Sequence, residues 1–596
     1  MPQKNIVIAL FRNDLRVHDN PILQHRRPSA SNDAPTHLLP VYVFDEAIFD
    51  LTGLEEPTRP GAKDSPVTVP RTALLGLRKT DLFRTRFILE SVYDLRTQLL
   101  NRRSNLLITA GQPHVILDRL IQKLHENGDV VNSVWMTKEY ASEELRTESR
   151  IARVVSRASS SDSAGGLGAE LRFVHSRPMV HPEDLPFAPS ECPDQFTSFR
   201  KVVEGLGQEQ MVRPCAADEE LLPFPSDSVD DLIHHLSAEP FGSYESASKH
   251  ILAPFHSSST GDGAEQDESR AAPATIFRGG ESVALQRLSH YVSGASAPLS
   301  TYKQTRNGLL GDDFSSHLSP WLACGAISPR KIWEAIDDWD RQHTRHGNGT
   351  KDSYWLRFEL LWRDYFIYIA QKYGDDIFKL GGVQTSLNPS KYEPNKNGGP
   401  NATEWKDARA ELEKGANGAL RKWMDGQTGV PFIDANMIEL NTTGYMSNRG
   451  RQNVASFLAK DLGIDWRAGA EYFEEKLLDY DPYANYGNWM YVAGVGTDPR
   501  DGRQFNPIKQ GKDYDPEGIY VKHWIPALSG VPSEHIHHPW LVRNSSKSVD
   551  IPRIYQKAPP TERAAWRSQC TRQAGQGSKL SKGNEAERVE KGHRHH

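Results

Sequence analysis

The strongest constraint on the fold is the regular alternation of strand and helix patterns in the N-terminal part of the chain. Short apolar runs rich in β-branched residues predict strands at Ile6–Phe11, Leu38–Phe44, Leu106–Ala110, Val130–Thr137 and Leu171–His175. Helical periodicity predicts helices between them at Phe83–Arg102, His114–Glu126 and Glu143–Arg157. This alternation is typical of a doubly wound α/β domain with a parallel sheet.

The remainder of the chain changes character twice. Residues 181–275 are rich in proline, serine and acidic residues, which predicts a connector, with a mobile loop at Ser257–Ala272. Residues 276–528 are helical in pattern and rich in tryptophan and tyrosine, so the sequence predicts an all-α domain there. With the α/β domain assigned to residues 1–180, residues 529–596 form a C-terminal segment.

The end of this segment is locally basic. Residues 562–596 hold eight Lys or Arg and four Asp or Glu, a net charge of +4. Two interpretations stay open, a solvated terminus and a tail for nucleic-acid binding or targeting.

Composition narrows the class of protein. No run of about 18 apolar residues occurs, so we expect no membrane span. Four widely spaced cysteines without a CxxC pair favour an intracellular, reducing compartment and argue against a cysteine zinc site. The net charge is −6, so nucleic-acid binding would need a local basic patch.

Several common motifs are missing or out of context. The glycines of Gly165–Gly168 lie in a Ser/Gly-rich loop and do not open a helix after a strand, so they do not fit a Rossmann fingerprint. The sequence holds no P-loop and no HExxH. His535–His538 lacks an accompanying carboxylate or cysteine at ligand spacing, so we expect no metal there.

An ordered set of motifs lies between Ser447 and Tyr491. It contains SNRGRQ at 447–452, LLDYDP at 477–482 and NYGNW at 485–489. Each piece alone has an ordinary explanation, since aspartates often end helices, tryptophans are usually core residues and asparagine is common in turns and caps. Together the pieces form a pattern that chance does not produce easily.

This pattern resembles the photolyase/cryptochrome family, and within it the DASH-type cryptochromes. The resemblance runs from Lys4 to about Trp540. It includes FRNDLR at 11–16, YKQTRNGLLG at 302–311 and LSPWL at 318–322. It implies the N-terminal α/β domain and the helical domain already expected, with FAD bound in the helical domain.

The resemblance also assigns flavin contacts. The FAD pyrophosphate would lie at a helix start, where free N–H groups favour an anion, against Ser315, Ser316, His317, Leu318 and Ser319. Tyr302 is a further contact, and Asp479 and Asp481 correspond to carboxylates near the flavin and ribose, the first paired with Arg451. Asn485 corresponds to the side chain against flavin N5, where an amide adds no negative charge and so favours the anionic reduced flavin.

Electron-transfer and substrate residues follow from the same resemblance. Trp489, Trp466 and Trp405 correspond to the inner, middle and outer tryptophans for photoreduction, although an apparent insertion at Glu411–Ala419 makes another outer residue an alternative. The positions that contact a cyclobutane pyrimidine dimer correspond to Glu359, Trp362 and Asn448. Tyr491 and Gln452 replace a tryptophan and a methionine of duplex-repair enzymes, which favours single-stranded DNA.

An antenna cofactor is also implied. DASH-type proteins often carry 5,10-methenyltetrahydrofolate, and Glu139 corresponds to a folate-contacting glutamate. An ordinary alternative is a glutamate that opens a helix.

The expected function is therefore light-driven repair of cyclobutane dimers, mainly in single-stranded or looped DNA, by electron transfer from reduced FAD in a monomer. The alternative is a blue-light photoreceptor that signals through flavin photoreduction. A (6-4) photolyase fits less well, because that activity relies on a histidine where this chain has Asn448. A generic flavin oxidoreductase fits least, because the Rossmann fingerprint is missing.

Overall fold

The structure is a computed structural model. It describes residues 3–24, 34–54, 68–159, 169–207, 211–216, 220–225, 241–256, 277–344, 349–389, 405–498, 505–542 and 550–559. The loop expected at Ser257–Ala272, most of the Ser/Gly-rich stretch containing Gly165–Gly168, and the basic tail at 562–596 lie outside these residues.

Five strands form one parallel sheet, as the sequence predicts. They are β1 (Asn5–Phe11), β2 (His37–Asp45), β3 (Leu107–Gly111), β4 (Val130–Thr137) and β5 (Glu170–Val174), in the order β3-β2-β1-β4-β5. The first three strands are almost fully buried, which explains their largely apolar sequences, and five of the eight residues of β4 are buried. Because the chain winds outward from β1 first to one side and then to the other, the sheet is doubly wound.

Helices connect and follow these strands. The helices from the α/β part to residue 343 are α1 (Leu82–Leu100), α2 (Pro113–Glu126), α3 (Ser142–Ser159), α4 (Phe196–Glu204), α5 (Tyr244–Ile251), α6 (Glu281–Val292), α7 (Ser319–Cys324) and α8 (Pro329–His343). Further along lie α9 (Lys351–Tyr373), α10 (Ala408–Glu413), α11 (Ala419–Met424), α12 (Pro431–Thr443), α13 (Asn448–Ser456), α14 (Trp466–Lys476), α15 (Pro482–Ala493), α16 (Pro507–Tyr514) and α17 (Ile519–Trp524). One-turn helices occur at Ala253–His256, Tyr302–Thr305 and Gln384–Leu387. The α-plus-β organisation of the fold is thus confirmed.

The chain divides into two compact units. The first comprises Met1–Glu404, Leu440–Asn448 and Asp465–Asp501, and the second Trp405–Glu439, Arg449–Ile464 and Gly502–His596. No helix in the ranges that the structure describes is long and apolar enough to cross a membrane. The boundaries expected at 180, 275 and 528 stay predictions.

The opening motif joins the sheet to helices of the first unit. Arg16, 1% exposed, donates to the carbonyl oxygen of Gly325 at 2.9 Å and to the Ser176 hydroxyl at 2.6 Å. Asp19 forms a two-point ion pair with Arg330, at 2.8 and 3.0 Å. Two-point arginine–carboxylate pairs are geometrically specific, so the motif fixes how the sheet meets the start of α8.

The histidine-rich segment lies within the second unit. His537 Nε2 is 2.7 Å from the carbonyl oxygen of Asp515, and its ring lies edge-on to Phe432 at 6.1 Å. The residues therefore pack against helical elements of that unit.

A buried carboxyl in the second unit makes its stability depend on pH. Glu439 on α12 accepts a hydrogen bond from the Tyr520 hydroxyl at 2.6 Å, and burial raises its pKa from 4.5 to about 8. The native protein therefore holds this proton up to about pH 8, whereas the unfolded chain loses it near pH 4.5. This one group should lower the free energy of unfolding between these pH values, by at most about 1.4 kcal/mol per pH unit.

We expect Glu439→Gln to remove this contribution. Chemical unfolding of the wild type and the variant between pH 5 and 8 should show their stabilities converging or crossing as the pH rises. The matched control is Glu517→Gln at an exposed position of the same unit. A constant difference between wild type and Glu439→Gln over this range would contradict the prediction.

Candidate functional site

The carboxylate segment lies between two helices of the first unit. Asp481 is the N-cap residue of α15, and its Oδ1 accepts a hydrogen bond from the N–H of Ala484 at 3.0 Å. Pro482 follows in the first helical position. Asp479 and Asp481 are both buried, at 9% and 6% exposure. The aspartate spacing thus serves helix capping as well as the flavin role implied by the resemblance.

Asn485 is held one turn into α15. Its backbone N–H donates to the Asp481 carbonyl oxygen at 2.8 Å, and its Nδ2 donates to the Ala470 carbonyl oxygen at 3.0 Å. Asn485 is only 9% exposed, yet its Oδ1 accepts no hydrogen bond within the ranges that the structure covers. The amide is therefore oriented with a free acceptor, which fits a flavin that presents an N5–H.

The loop at Ser315–Ser319 is shaped by an arginine that no sequence pattern indicated. Arg287 on α6 donates to the carbonyl oxygens of Ser316 at 3.0 Å and Ser315 at 2.9 Å. In a trans peptide the C=O and N–H groups point in opposite directions. The loop N–H groups therefore turn away from Arg287, which suits an anionic pyrophosphate beside the start of α7 at Ser319.

His317 takes part in this loop as a neutral residue. Its backbone is left-handed, with φ of 55°, and its ring lies 4.7 Å from Phe314 and 5.2 Å from Tyr445. Burial, with a smaller effect of Arg287, lowers the pKa of His317 to about 4. The loop thus offers a pyrophosphate hydrogen bonds but no imidazolium charge.

Tyr302 and Glu359 are linked by an arginine in the first unit. Arg306 Nη2 lies 2.6 Å from Glu359 Oε1, and its guanidinium lies 5.8 Å from the Tyr302 ring and 4.8 Å from the Trp355 ring. Burial raises the pKa of Glu359, and the charge of Arg306 opposes this shift. Arg306 lies inside the 302–311 motif, but no sequence pattern distinguishes it from the other polar residues there.

Trp362 stands three residues after Glu359 on α9, so the two share a helix face. Phe196 on α4 stacks on the Trp362 ring, with centroids 3.7 Å apart and planes at 10°. Tyr491 meets the ring edge-on, at 6.1 Å and 75°. Trp362 is half-buried, and the ring face that Phe196 covers is closed to a base.

Two further residues predicted to contact the substrate, Asn448 and Gln452, lie in α13. Asn448 begins this helix and is exposed in the first unit. Gln452, in the second unit, accepts a hydrogen bond from Arg449 Nη1 at 2.8 Å. The sequence after the SNRGRQ motif predicts a helix at Asn453–Asp461. In the structure this helix begins five residues earlier, at Asn448, because Gly450 is accommodated inside it, and it ends in one π-helical turn at Phe457–Asp461.

Arg451 and Trp405 also belong to the second unit. The positive charge of Arg451 lowers the pKa of Glu439, against the larger effect of burial. Trp405 corresponds to the outer tryptophan of the family, which is expected to be exposed, but in the structure it is half-buried. Its Nε1 has no acceptor among the residues that the structure covers. Its role stays a prediction.

The two inner tryptophans are buried in the first unit. Trp489 is 2% exposed and lies edge-on to Phe473 at 5.2 Å. Trp466 is fully buried, donates from Nε1 to the Leu380 carbonyl oxygen at 2.9 Å and lies 6.1 Å from the Tyr486 ring. Both rings are shielded from water and fixed in place, as an electron-transfer role requires.

Gly469 on α14 makes room for Trp489. A Cβ atom at this position would lie 2.0 Å from Trp489 Cη2 and 2.6 Å from Cζ2 and Cζ3. We expect Gly469→Ala to cost about 1–3 kcal/mol of stability through overpacking and to slow flavin photoreduction by displacing the indole. Gly242→Ala is the control, because nothing lies within 4 Å of a Cβ there. Thermal unfolding and flavin bleaching under blue light would measure both effects, and unchanged values would contradict the prediction.

Glu139 lies after β4, next to the end of β1, where the winding of the sheet reverses. It is 1% exposed, and its oxygens accept hydrogen bonds from Asn13 Nδ2 at 3.1 Å and from the Tyr483 hydroxyl at 2.8 Å. Ligands of doubly wound sheets bind outside such a reversal point. A folate contact by Glu139 would share these oxygens with protein donors, and it stays a prediction.

Comparison with known proteins decides the family. Residues 7–217 match the family described as DNA photolyase, and residues 355–576 match the FAD binding domain of DNA photolyase. Cryptochrome DASH of Xenopus laevis is 38% identical over 91% of this chain and 86% of its own length. The chain belongs to the photolyase/cryptochrome family.

Further relatives place it with the DASH-type cryptochromes. Cryptochrome DASH of Synechocystis is 36% identical over 92% of this chain and 94% of its own length. The crystal structure of a Synechocystis cryptochrome superimposes with a TM-score of 0.72 at 34% identity, covering 93% of this chain and 96% of that one. The FAD-binding domain expected from the sequence is thus confirmed, and the residues around Asn485 and Ser315–Ser319 fit the cofactor.

Proposed function

We propose that this DASH-type protein uses blue light to split cyclobutane pyrimidine dimers, with single-stranded or looped DNA as the preferred substrate. The observation that carries the proposal is the half-buried pair of Glu359 and Trp362 on one face of α9, with Arg306 at 2.6 Å from the glutamate. Membership of the family implies a DNA substrate. Bound reduced FAD would supply one electron and recover it, so that two C–C bonds of the cyclobutane ring break without net oxidation.

Glu359 and Arg306 suit the polar edge of a pyrimidine dimer. A carboxyl group can hydrogen-bond the base edge, and the neighbouring guanidinium favours the negative charge that the dimer carries while its bonds break. Arg306 and Glu359 are partly shielded from water, with side-chain exposures of 18% and 32%, so these interactions are stronger than they would be in water.

The preference for single strands rests on the aromatic residues. Extruding a dimer from a duplex costs a few kcal/mol in lost stacking and pairing. Trp362 already has one face against Phe196 at 3.7 Å, and Tyr491 offers a smaller ring than tryptophan, edge-on to it. This smaller stacking surface compensates less of the free-energy cost of extrusion. Extruding a dimer from single-stranded or looped DNA costs less free energy, so the smaller surface is sufficient there.

The deciding experiment compares three substrates. The purified protein, with its FAD chemically reduced, is illuminated with dimer-containing oligonucleotides in single-stranded, looped and duplex form, and dimer loss is measured by chromatography. We expect fast repair of the first two and slow or no repair of the duplex. Equal repair of all three would refute the strand preference.

No repair of any substrate would refute the enzymatic proposal and favour the photoreceptor. Both functions use photoreduction through the buried Trp489 and Trp466.

We further propose a folate antenna and a monomer. A reducing compartment is supported by the free thiols of Cys192, Cys215 and Cys324.

A further inference from the structure

Arg177 lies buried between two carboxylates that the sequence assigned to different cofactors. Its Nη1 is 3.3 Å from Glu139 Oε1, and its Nη2 forms an ion pair with Asp481 Oδ2. The side chains of Arg177, Glu139 and Asp481 are 3%, 2% and 7% exposed. Burial opposes the charge of this guanidinium, but the carboxylates of Glu139 and Asp481 outweigh it and hold the pKa of Arg177 above its ordinary value.

The two oxygens of Asp481 have separate partners. Oδ1 caps α15 through the N–H of Ala484 at 3.0 Å, while Oδ2 is held by Arg177. The Asp481 carbonyl oxygen then accepts from the N–H of Asn485 at 2.8 Å. The contact with Arg177 therefore fixes the first turn of the helix that carries Asn485.

A second arginine holds the other end of the same segment. Arg84 on α1 donates from Nη1 to the Leu477 carbonyl oxygen at 3.3 Å, and its guanidinium lies 4.8 Å from the Tyr480 ring. Arg84 and Arg177 both come from the α/β part of the first unit. The short segment from Leu477 to Asp481, which carries both flavin carboxylates, is thus anchored at each end from outside the helices it joins.

We propose that Arg177 is a positioning residue of the flavin site, which acts through Asp481 to hold the first turn of α15 and the amide of Asn485. Its fork-shaped guanidinium bridges two carboxylates, which a lysine ammonium on a flexible stem cannot do with the same geometry. Without this cation, the buried carboxylate of Asp481 would remain uncompensated in the flavin site and oppose the anionic reduced flavin, whereas Glu139 would keep the hydrogen bonds from Asn13 and Tyr483. The inference concerns the flavin site and does not depend on DNA repair.

The test uses the FAD-bound protein and three variants. Arg177→Met removes the charge and the fork, and Arg177→Lys keeps the charge but loses the bridge. Arg172→Met, in the neighbouring strand β5, is the control, because Arg172 is 49% exposed and pairs with Glu170. The readouts are the rate of FAD release, the reduction potential of bound FAD, and hydrogen exchange of peptides containing Ala484 and Asn485.

We expect Arg177→Met to release FAD at least about tenfold faster, to shift the reduction potential to more negative values and to increase exchange in the first turn of α15. Arg177→Lys should keep the potential closer to that of the wild type yet still increase exchange, and Arg172→Met should match the wild type throughout. A purely structural arginine would lower the melting temperature while leaving the potential and local exchange of folded protein unchanged. That outcome in Arg177→Met would overturn the proposal. If Arg177→Met does not fold, unchanged hydrogen exchange of the Ala484 and Asn485 peptides in Arg177→Lys would overturn it.

Discussion

Glu359→Ala should lower the rate of dimer repair roughly 10- to 100-fold, because a hydrogen bond to a charged group is worth about 1.5–3 kcal/mol. The variant removes the carboxyl that lies 2.6 Å from Arg306 and faces the same side of α9 as Trp362. It leaves Ser315–Ser319 and Asn485, the residues predicted to contact the FAD pyrophosphate and N5, untouched. FAD content should therefore stay at the wild-type level.

The measurement is dimer loss per absorbed photon with chemically reduced protein and a single-stranded substrate. Glu334→Ala on α8 is a matched control, because its side chain is 43% exposed and pairs with Lys331. If Glu359→Ala binds FAD and repairs dimers at the wild-type rate, Glu359 is not part of the substrate site. Loss of FAD in this variant would instead show a role in cofactor binding.

Trp489→Phe should slow photoreduction of oxidised FAD by more than about tenfold, while repair by the chemically reduced protein is retained. The phenyl ring fills much of the indole volume between Phe473 and Gly469, so folding should change little. A phenyl ring gives up an electron far less readily than an indole. The variant thus separates the supply of electrons to the flavin from the use of the reduced flavin on DNA.

Flavin bleaching under blue light with an external reductant measures the first effect, and the oligonucleotide assay after chemical reduction measures the second. Trp339→Phe is the control, since this tryptophan is also buried and donates from Nε1 to the Gly294 carbonyl oxygen. Unchanged photoreduction in Trp489→Phe would refute the assigned electron-transfer role.

The strands of the parallel sheet could be predicted closely because each buried strand is recognisable from its own run of apolar, β-branched residues. Val130–Thr137 has the predicted bounds, and the other strands differ by one residue at their ends. Strand ends are set by pairing with neighbours, such as Val7 with Leu38, which a single run of sequence does not contain. The start of α13 was predicted too late for a related reason, because Gly450 argues for a loop locally but is tolerated in the packed helix.

The supporting residues of the site could not be predicted because their contacts are remote in sequence. Arg177 and Asp481 are 304 positions apart, and Phe196 and Trp362 meet only once α4 packs beside α9. Arg287 reads as an ordinary helical surface residue until its carbonyl partners are known. Motifs therefore indicated side chains expected to touch the cofactor, whereas the groups that orient those side chains became visible only in the folded chain.

The carbonyl oxygen of Ala470 has a consequence for how the flavin position can evolve. It accepts a hydrogen bond from Asn485 Nδ2 at 3.0 Å, so it would repel an ionised aspartate at position 485. A carboxylate could enter only in its protonated form or together with a backbone change in α14. At this position, which is predicted to face flavin N5, the choice between amide and acid depends on two helices jointly, so we expect a single codon change at position 485 to need an accompanying adjustment in α14.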